Sequence, residues 1–144
     1  MLAIKEILSD TIIDFAVRCI CDALEDYYAL DTYAATFCCP DLPQTRISSM
    51  HYAVSPVHLS NIHWGVIIAS ITYQAEPPAI TPYFYEPVCD SRYRATIEAI
   101  YEETVAPFLL CWHEKTMPGV GCPVVENDVS LDAPRQPDGT SCGV

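Results

Sequence analysis

The sequence predicts an α+β fold, because its helical and strand patterns occupy separate stretches of the chain. A helical pattern comes first, two apolar strand patterns occupy the middle, and a second helical pattern follows them. The length of 144 residues, 51% of them hydrophobic, is enough for one core and too short to force a division. We therefore expect a single domain over residues 1–144.

The first helical pattern lies in "SDTIIDFAVRCICDALEDYY". Its apolar residues at helical spacing are Ile12, Ile13, Ala16, Val17, Ile20 and Leu24. Ser9 or Asp10 is suited to cap the first backbone N–H groups, since short polar side chains favour that position. The stretch therefore predicts an amphipathic helix.

Two strand patterns follow an interrupted region. From Asp31 to Pro56, prolines among polar residues predict loops with short strands. "NIHWGVIIASITYQ" is apolar on both faces, as expected for a buried central strand. "AEPPAITP" then interrupts the chain before "YFYEP", which predicts a second, short aromatic strand.

A second helix is predicted in "SRYRATIEAIYEETVAPFL". The residues that carry its period are Ile97, Ile100, Tyr101, Val105 and Phe108. Pro107 is expected to kink or end this helix, because proline lacks a backbone N–H and clashes with the preceding turn. Residues 115–137 then read as a connector to the final "PDGTSCGV".

The charge balance limits the partners. The formal net charge is −12, from 19 acidic and 7 basic side chains, whereas nucleic acids and anionic membranes require clustered Lys and Arg. We therefore expect neither as a partner. The chain begins with "MLAIKEILSD", which places Lys5, Glu6 and Asp10 where a signal peptide would need an apolar stretch. Residence inside the cell, in the nucleus or the cytoplasm, is the expectation.

Eight cysteines require an interpretation. Without an export signal, reduced thiols are favoured over a disulfide framework. The spacings contain no C-x-x-C pair and no histidine at zinc-finger spacing, so we expect no metal site and no cofactor. Most of the cysteines are predicted to be small buried apolar residues.

Cys142 is different, because helpers for a nucleophilic thiol lie upstream of it. Such a thiol needs a base, a group that orients the base, and donors for the oxyanion. His63 opens the predicted central strand, and Glu86 ends the next strand, where its carboxylate could reach His63 if the two strands pair. The amide of Gln136 could fold back beside Cys142 across the Pro-Asp-Gly turn.

The segments "PVHLSNIHWGVIIASI", "YFYEP" and "QPDGTSCGV", in this order, resemble the Ulp1-type cysteine peptidases that process and remove SUMO and related ubiquitin-like modifiers. The shared pattern is a His-Trp pair, an aromatic strand that ends in an acid, and a Gln six residues before a Cys-Gly. "LSDTIIDFAV" also resembles the N-terminal helix of that family. The resemblance spans nearly the whole chain.

The resemblance implies a papain-like architecture of the Ulp1 and adenain type. It also implies that Cys142 is the nucleophile, His63 its base and Gln136 an oxyanion donor. Trp64 would line a narrow channel that admits only the Gly-Gly tail of a modifier. The implied partner is SUMO or a related modifier, with its conjugates, and the implied chemistry needs no cofactor or metal.

Two features depart from the family pattern. The third catalytic member is usually Asp, whereas "YFYEP" carries Glu86; related viral proteases also use Glu there. Asp90 competes for this role, but its place before a helical pattern is typical of an N-cap, so Glu86 is preferred. In the family a central helix follows the Cys-Gly, and this sequence ends at Val144.

That second departure predicts a catalytic domain that is incomplete at its C-terminus. Such a domain would lack part of its core and the helix dipole that stabilises the thiolate. We expect a poorly stable chain with weak or no activity. The alternative to a protease is an inactive remnant that only binds a modifier or another partner.

Overall fold

The structure is a computed structural model that describes residues 9–31, 41–60 and 63–131. Its first half contains α1 (Asp10–Leu24), β1 (Tyr27–Ala29), a 3₁₀ turn (Ile47–Ser49), β2 (Tyr52–Ser60), β3 (His63–Thr72) and β4 (Ala79–Tyr85). Its second half contains α2 (Ser91–Ile100), a π-helical turn (Tyr101–Val105), α3 (Ala106–Thr116), β5 (Val124–Val125) and β6 (Val129–Ser130). Two predicted site residues, Gln136 and Cys142, lie outside the described ranges.

The strands form one mixed sheet in the order β1-β2-β3-β4-β5, and β6 pairs with the same edge of β4 as β5. β3 is antiparallel to both β2 and β4, while β1 is parallel to β2 and both short strands are parallel to β4. The prediction that "NIHWGVIIASITYQ" contains the central strand is therefore confirmed.

The core lies between one face of the sheet and the long helical segment α2 to α3. Alternate residues of a strand face the same side, so the odd-numbered residues of β3 face this core. On the other face of β3, Trp64 is buried, but Val66, Ile68 and Ser70 are only half-buried, so the predicted burial on both faces holds only at the start of the strand. The main core residues are Ile67, Ala69, Ile71, Ile80, Phe84, Ile97, Tyr101, Val105, Phe108, Leu109 and Trp112.

β4 is longer than predicted, because "AITP" belongs to it. The carbonyl oxygens of Pro78, Ile80 and Phe84 accept N–H groups from the β5–β6 segment. Even-numbered residues of β4 thus direct their backbone polar groups to that edge. Pro82 has the same parity and lies between the residues paired with β5 and those paired with β6. Its missing N–H therefore removes no pairing with β3.

β2 overlaps the region up to Pro56, where loops with short strands were predicted, but it is longer than a short strand and continues to Ser60. Pro56 pairs in register with Val66 of β3. The carbonyl of Val54 accepts from Leu30, so residues of this parity direct their polar groups towards β1. β1 pairs only as far as Val54, and the nitrogen of Pro56 faces the edge beyond it. A proline is tolerated there because no described strand needs its N–H.

α1 is present, but it ends at Leu24 rather than continuing through the two tyrosines, which belong to β1. The backbone carbonyl of Ser9 accepts at the helix start, and its side chain makes no capping hydrogen bond. Apolar side chains of α1 remain exposed, with Phe15 at 71% and Ile20 at 61%. The periodicity identified the helix, but it did not identify what its apolar residues contact.

Pro107 does not end the second helix, which continues to Thr116. A π-helical turn precedes it, in which the Ala106 N–H donates to the Tyr101 carbonyl. A π-helical turn is one way in which a helix continues past a residue, such as Pro107, that interrupts its regular hydrogen bonding. The predicted core residues Ile97, Val105 and Phe108 are buried as expected.

The burial predicted for the cysteines is wrong for most of the described ones. Cys21 is buried, whereas Cys19, Cys89, Cys111 and Cys122 are exposed free thiols. Within the described ranges, no group of three or more His, Cys, Asp or Glu is arranged to hold a metal ion. No helix in that part of the chain has the length and apolar character needed to cross a membrane.

Candidate active site

The candidate site lies at the end of the sheet where β3 begins and β4 ends. Because these strands are antiparallel, with Val66 opposite Tyr85, His63 at the start of β3 lies at the same end as Glu86 after β4. Strand pairing thus places the predicted base and the predicted acid at one end of the sheet.

His63 is held in a nearly closed environment. Its residue surface is 5% exposed, and the Nδ1 atom has no hydrogen-bond partner among the described residues. A catalytic imidazole needs one nitrogen bonded to an orienting group so that the other presents the correct tautomer. The described part of the site contains the predicted base, His63, but not the bond that would orient it.

Tyr93 packs on His63 and was missed from the sequence. The two ring centroids are 4.9 Å apart with an interplanar angle of 53°. The Tyr93 hydroxyl lies 3.5 Å from the Ser60 hydroxyl at the end of β2. Tyr93 belongs to the first turn of α2 and His63 to β3, so their contact is nonlocal and no sequence pattern pointed to it.

Glu86 is engaged by its own turn. Its Oε1 accepts the Val88 N–H at 2.5 Å, and its Oε2 accepts the Asp90 N–H at 2.8 Å. Cys89, within this turn, has a φ of 58°, which is unusual for a residue with a side chain. The carboxylate thus stabilises the turn between β4 and α2, and the structure does not join it to His63 Nδ1.

Asp90 is the N-cap of α2, as its sequence position indicated. Its side chain accepts the Arg92 N–H at 2.7 Å, and the same carboxylate pairs with the Arg92 guanidinium at 2.9 Å. Hydrogen bonds from the side chain and backbone of Arg92 lower the pKa of Asp90 to about 2. The Asp90 carboxylate thus caps the helix, and Glu86, at the end of β4, stays the acid that the sequence predicts.

Trp64 lies on the opposite face of β3 from His63, because neighbouring strand residues alternate. Its indole stacks on the His58 ring, with the centroids 4.1 Å apart and the planes 20° from parallel. The residue is buried. The structure therefore gives Trp64 a packing role on that face, and its predicted channel stays a prediction.

Gly65 allows the three elements around the site to approach closely. A Cβ atom there would lie 3.0 Å from the carbonyl oxygen of Tyr85 and 3.2 Å from a methyl group of Ile97. Side chains longer than hydrogen would therefore separate the end of β4 from β3. The absence of a side chain at this position helps to fix where Glu86 begins its turn.

The direction of β6 shows at which end of the sheet the chain continues towards its C-terminal residues. Since β6 is parallel to β4, with Phe84 opposite Ser130, both strands point towards the same end. The Leu131 N–H donates to the Phe84 carbonyl at 3.5 Å, which extends this direction. The chain therefore leaves β6 at the end that holds His63, on its way to Gln136 and Cys142, which lie outside the described residues.

Neither the comparison with protein-family profiles nor that with curated sequences finds a match. The comparison with solved structures does. A structure of the SUMO protease Ulp1, with its catalytic cysteine oxidized to a sulfonic acid, has a TM-score of 0.65 and 21% sequence identity over 99% of this chain. The C-terminal Ulp1 protease domain in complex with SMT3, the yeast ortholog of SUMO, gives 0.58 and 19% over 99%.

The chain has the Ulp1 fold. XopD of Xanthomonas is a more distant likeness, with a TM-score of 0.50 and 14% identity over 67% of this chain. The chain spans 64%, 63% and 62% of these three solved chains, which is less than two thirds of their length. The α+β prediction and the Ulp1-type architecture inferred from sequence resemblance are confirmed at the level of the fold.

Proposed function

We propose that the protein belongs to the Ulp1 family and is a cysteine-type peptidase that cleaves after the Gly-Gly C-terminus of SUMO or a related ubiquitin-like modifier. The observation that carries this proposal is the convergence of three strand ends within an Ulp1-type sheet. β3 begins there at His63, β4 ends there before Glu86, and β6 directs the chain there towards Gln136 and Cys142.

The proposed reaction starts with the Cys142 thiol. His63 takes the thiol proton, and the thiolate sulfur bonds to the carbonyl carbon of the terminal glycine. The negative charge on the carbonyl oxygen is stabilised by the amide of Gln136 and the backbone N–H of Cys142. Protonated His63 donates to the leaving amine, and the C–N bond breaks to leave a thioester, which water hydrolyses.

The proposed substrate class follows from the narrow channel that Trp64 would line. A Gly-Gly tail has no side chains, so a closed channel selects it sterically. The chain's acidic balance of 19 to 7 favours a partner with a basic or mixed surface. A ubiquitin-like modifier is therefore the proposed partner, in the nucleus or the cytoplasm.

One observation favours the alternative, a remnant that binds a modifier without cleaving it. His63 Nδ1 has no partner in the described part of the site, and the Glu86 carboxylate is occupied by two backbone N–H groups. An imidazole without an orienting bond is a poor base. A catalytic test has to separate these two functions.

The test uses modifier proteins with an electrophile, such as a vinyl sulfone, at the C-terminal glycine. If the protein is an active peptidase, the intact mass of the chain should show a covalent adduct that is absent in Cys142→Ala and forms more slowly in His63→Ala. His51→Ala is the matched control, because His51 is an exposed histidine paired with Asp26 far from the site. Binding of the modifier without an adduct supports the remnant, and neither adduct nor binding contradicts both proposals.

A further inference from the structure

Arg94 joins three elements of the fold through one guanidinium group. Its Nε donates to Glu98 of the same helix at 2.8 Å, and one terminal nitrogen donates to the Ser130 hydroxyl of β6 at 3.1 Å. The other terminal nitrogen binds the carboxylate of Asp128, just before β6. The guanidinium carbon lies 5.1 Å from the centre of the Phe84 ring in β4.

These contacts concentrate on β6, which is short. The strand consists of Val129 and Ser130. One residue on each side of it makes the further described contacts of this segment with the rest of the fold. Two residue pairs with β4 are a weak anchor by themselves, since short strands depend on neighbouring packing. The hydrogen bond and ion pair of the Arg94 side chain add to the two backbone pairs between β4 and β6.

The position of β6 determines the end of the sheet from which the chain continues towards its C-terminal residues. It runs parallel to β4 and leaves the sheet at the His63 end. A shift of β6 by one residue would place every following residue about 3.3 Å away and on the other face. The reaction proposed for Cys142 requires the thiol and the imidazole to be positioned more accurately than that.

We propose that Arg94 is a positioning residue that holds β6 in register against β4 and thereby sets the approach of the chain to Gln136 and Cys142. This inference rests on the proposed role of Cys142 as the nucleophile. Arg94 touches neither substrate nor reacting atoms. It acts through Asp128, Ser130 and the Phe84 face.

The local charges explain why a guanidinium suits this place. A cavity of about 300 Å³ between α2, the π-helical turn, β4 and the β5–β6 connection is lined in part by the acidic residues Glu98, Glu102, Glu126 and Asp128. Arg94 pairs with two of them, Glu98 and Asp128, so its removal would leave these like charges without a cation between them. A planar fork of donors over an aromatic ring satisfies two carboxylates at once, which a lysine ammonium does less well.

The test replaces Arg94 with Ala and adds methylguanidine, which can occupy the vacated space. We expect faster amide hydrogen exchange at Val129–Leu131 and labelling of Cys142 by the modifier probe that is roughly tenfold to a hundredfold slower. Methylguanidine should reverse both changes in part, whereas sodium chloride at equal ionic strength should not. Asp128→Asn is the milder second variant and should show the same local change if Arg94→Ala does not fold.

Arg92→Ala is the matched control. Arg92 is the arginine two residues earlier on the same helix, its side chain is 84% exposed, and it pairs with Asp90 rather than with β6. Exchange and labelling should stay close to those of the unchanged chain. An equal change in Arg92→Ala would overturn the assignment to Arg94.

The two readouts separate the failure of this inference from that of the proposed function. Unchanged exchange at Val129–Leu131 in both Arg94→Ala and Asp128→Asn overturns the inference. Faster exchange with undiminished labelling also overturns it, since β6 then does not position the nucleophile. If the unchanged chain is never labelled, the proposed function fails, while faster exchange that methylguanidine reverses still supports Arg94 as the residue that holds β6.

Discussion

Glu86 lies in a turn whose backbone competes with His63 for its carboxylate. The N–H groups of Val88 and Asp90 are two and four residues away, and both donate to it. A local partner of this kind costs little chain entropy to reach, in contrast with an imidazole on the neighbouring strand. The same carboxylate has further lone pairs, so a bond to His63 remains chemically available to it.

The choice between the two candidate acids gives a prediction for single variants. Asp90→Ala removes the N-cap of α2 and should lower the melting temperature, with probe labelling of Cys142 changed by less than about twofold. Glu86→Ala should slow labelling by roughly tenfold or more, because it removes the group that can orient His63. Thermal unfolding and intact-mass kinetics on the same preparations measure both effects.

The restoring variants sharpen this comparison. Asp90→Asn keeps an acceptor for the Arg92 N–H and should recover the melting temperature. Glu86→Asp keeps a carboxylate and should recover labelling more than Glu86→Gln does. Slow labelling in Asp90→Asn with normal labelling in Glu86→Ala would instead make Asp90 the third catalytic member.

At this scale, the sequence predicts what depends on near neighbours. The capping role of Asp90 follows from its place before a helical pattern, and the structure confirms it. Glu86 was predicted as the acid that orients His63, whereas the structure shows its carboxylate bound to two N–H groups of its own turn. The contact between Tyr93 and His63 joins two elements distant in sequence, which no local pattern encodes.

At the scale of elements, β3 approaches the end of β4 and α2 closely at Gly65. Gly65→Ala should lower the free energy of unfolding by about 1–3 kcal/mol, because the added methyl group meets the backbone carbonyl oxygen of Tyr85 as well as the side chains of Leu59 and Ile97. It should also slow probe labelling, since the obstructed atom is the carbonyl oxygen of Tyr85, the residue before Glu86. Urea unfolding and labelling kinetics provide the two measurements.

Gly119→Ala is the matched control, because a Cβ atom there would meet nothing within 4 Å. Its free energy of unfolding should stay within about 0.5 kcal/mol of the unchanged chain. A loss of the same size in both variants would show that the effect comes from glycine replacement in general and not from the packing at Gly65.

Prediction of the elements from sequence succeeded where periodicity was uninterrupted and failed where proline intervened. The central strand and the long helix have regular apolar patterns, and both are present. Pro56 and Pro82 were taken as breaks, yet each occupies a strand, with its nitrogen towards a stretch of edge where no described strand pairs with it. The cost of a strand proline depends on which edge it faces, and that is a property of the sheet.

For the whole molecule, the order of the strands creates the candidate site. Sequence order alone gives His63, Glu86, Gln136 and Cys142 one after another. Because β3 and β4 are antiparallel and β6 is parallel to β4, the start of β3 and the ends of β4 and β6 lie at one end of the sheet. Pairing directions of this kind are nonlocal, and the resemblance to the Ulp1 type was the part of the sequence reasoning that implied them.

The buried Tyr101 and the half-buried Tyr73 give a prediction for the stability of the whole molecule at alkaline pH. Burial raises the pKa of Tyr101 to about 12, and burial, with a smaller contribution from Cys122, raises that of Tyr73 to about 12. A phenol whose pKa is higher in the folded chain stabilises the fold fully below the unfolded value of 10.0, and this contribution is lost as the pH rises through about 12. The free energy of unfolding should therefore fall between pH 10 and 12.

The two tyrosines should respond oppositely to removal of the hydroxyl at neutral pH. The Tyr101 hydroxyl is buried without a hydrogen-bond partner in the described part of the chain, so Tyr101→Phe should leave the free energy of unfolding unchanged or raise it by about 1 kcal/mol. His113 donates from Nε2 to the Val120 carbonyl and accepts the Tyr73 hydroxyl at Nδ1, so Tyr73→Phe should lower it by about 1 kcal/mol. Both variants should flatten the alkaline loss, as measured by urea unfolding at pH 7, 10 and 11. Equal losses in the two variants at pH 7 would mean that Tyr101 also has a partner, and would remove the basis for treating its hydroxyl as an uncompensated buried group.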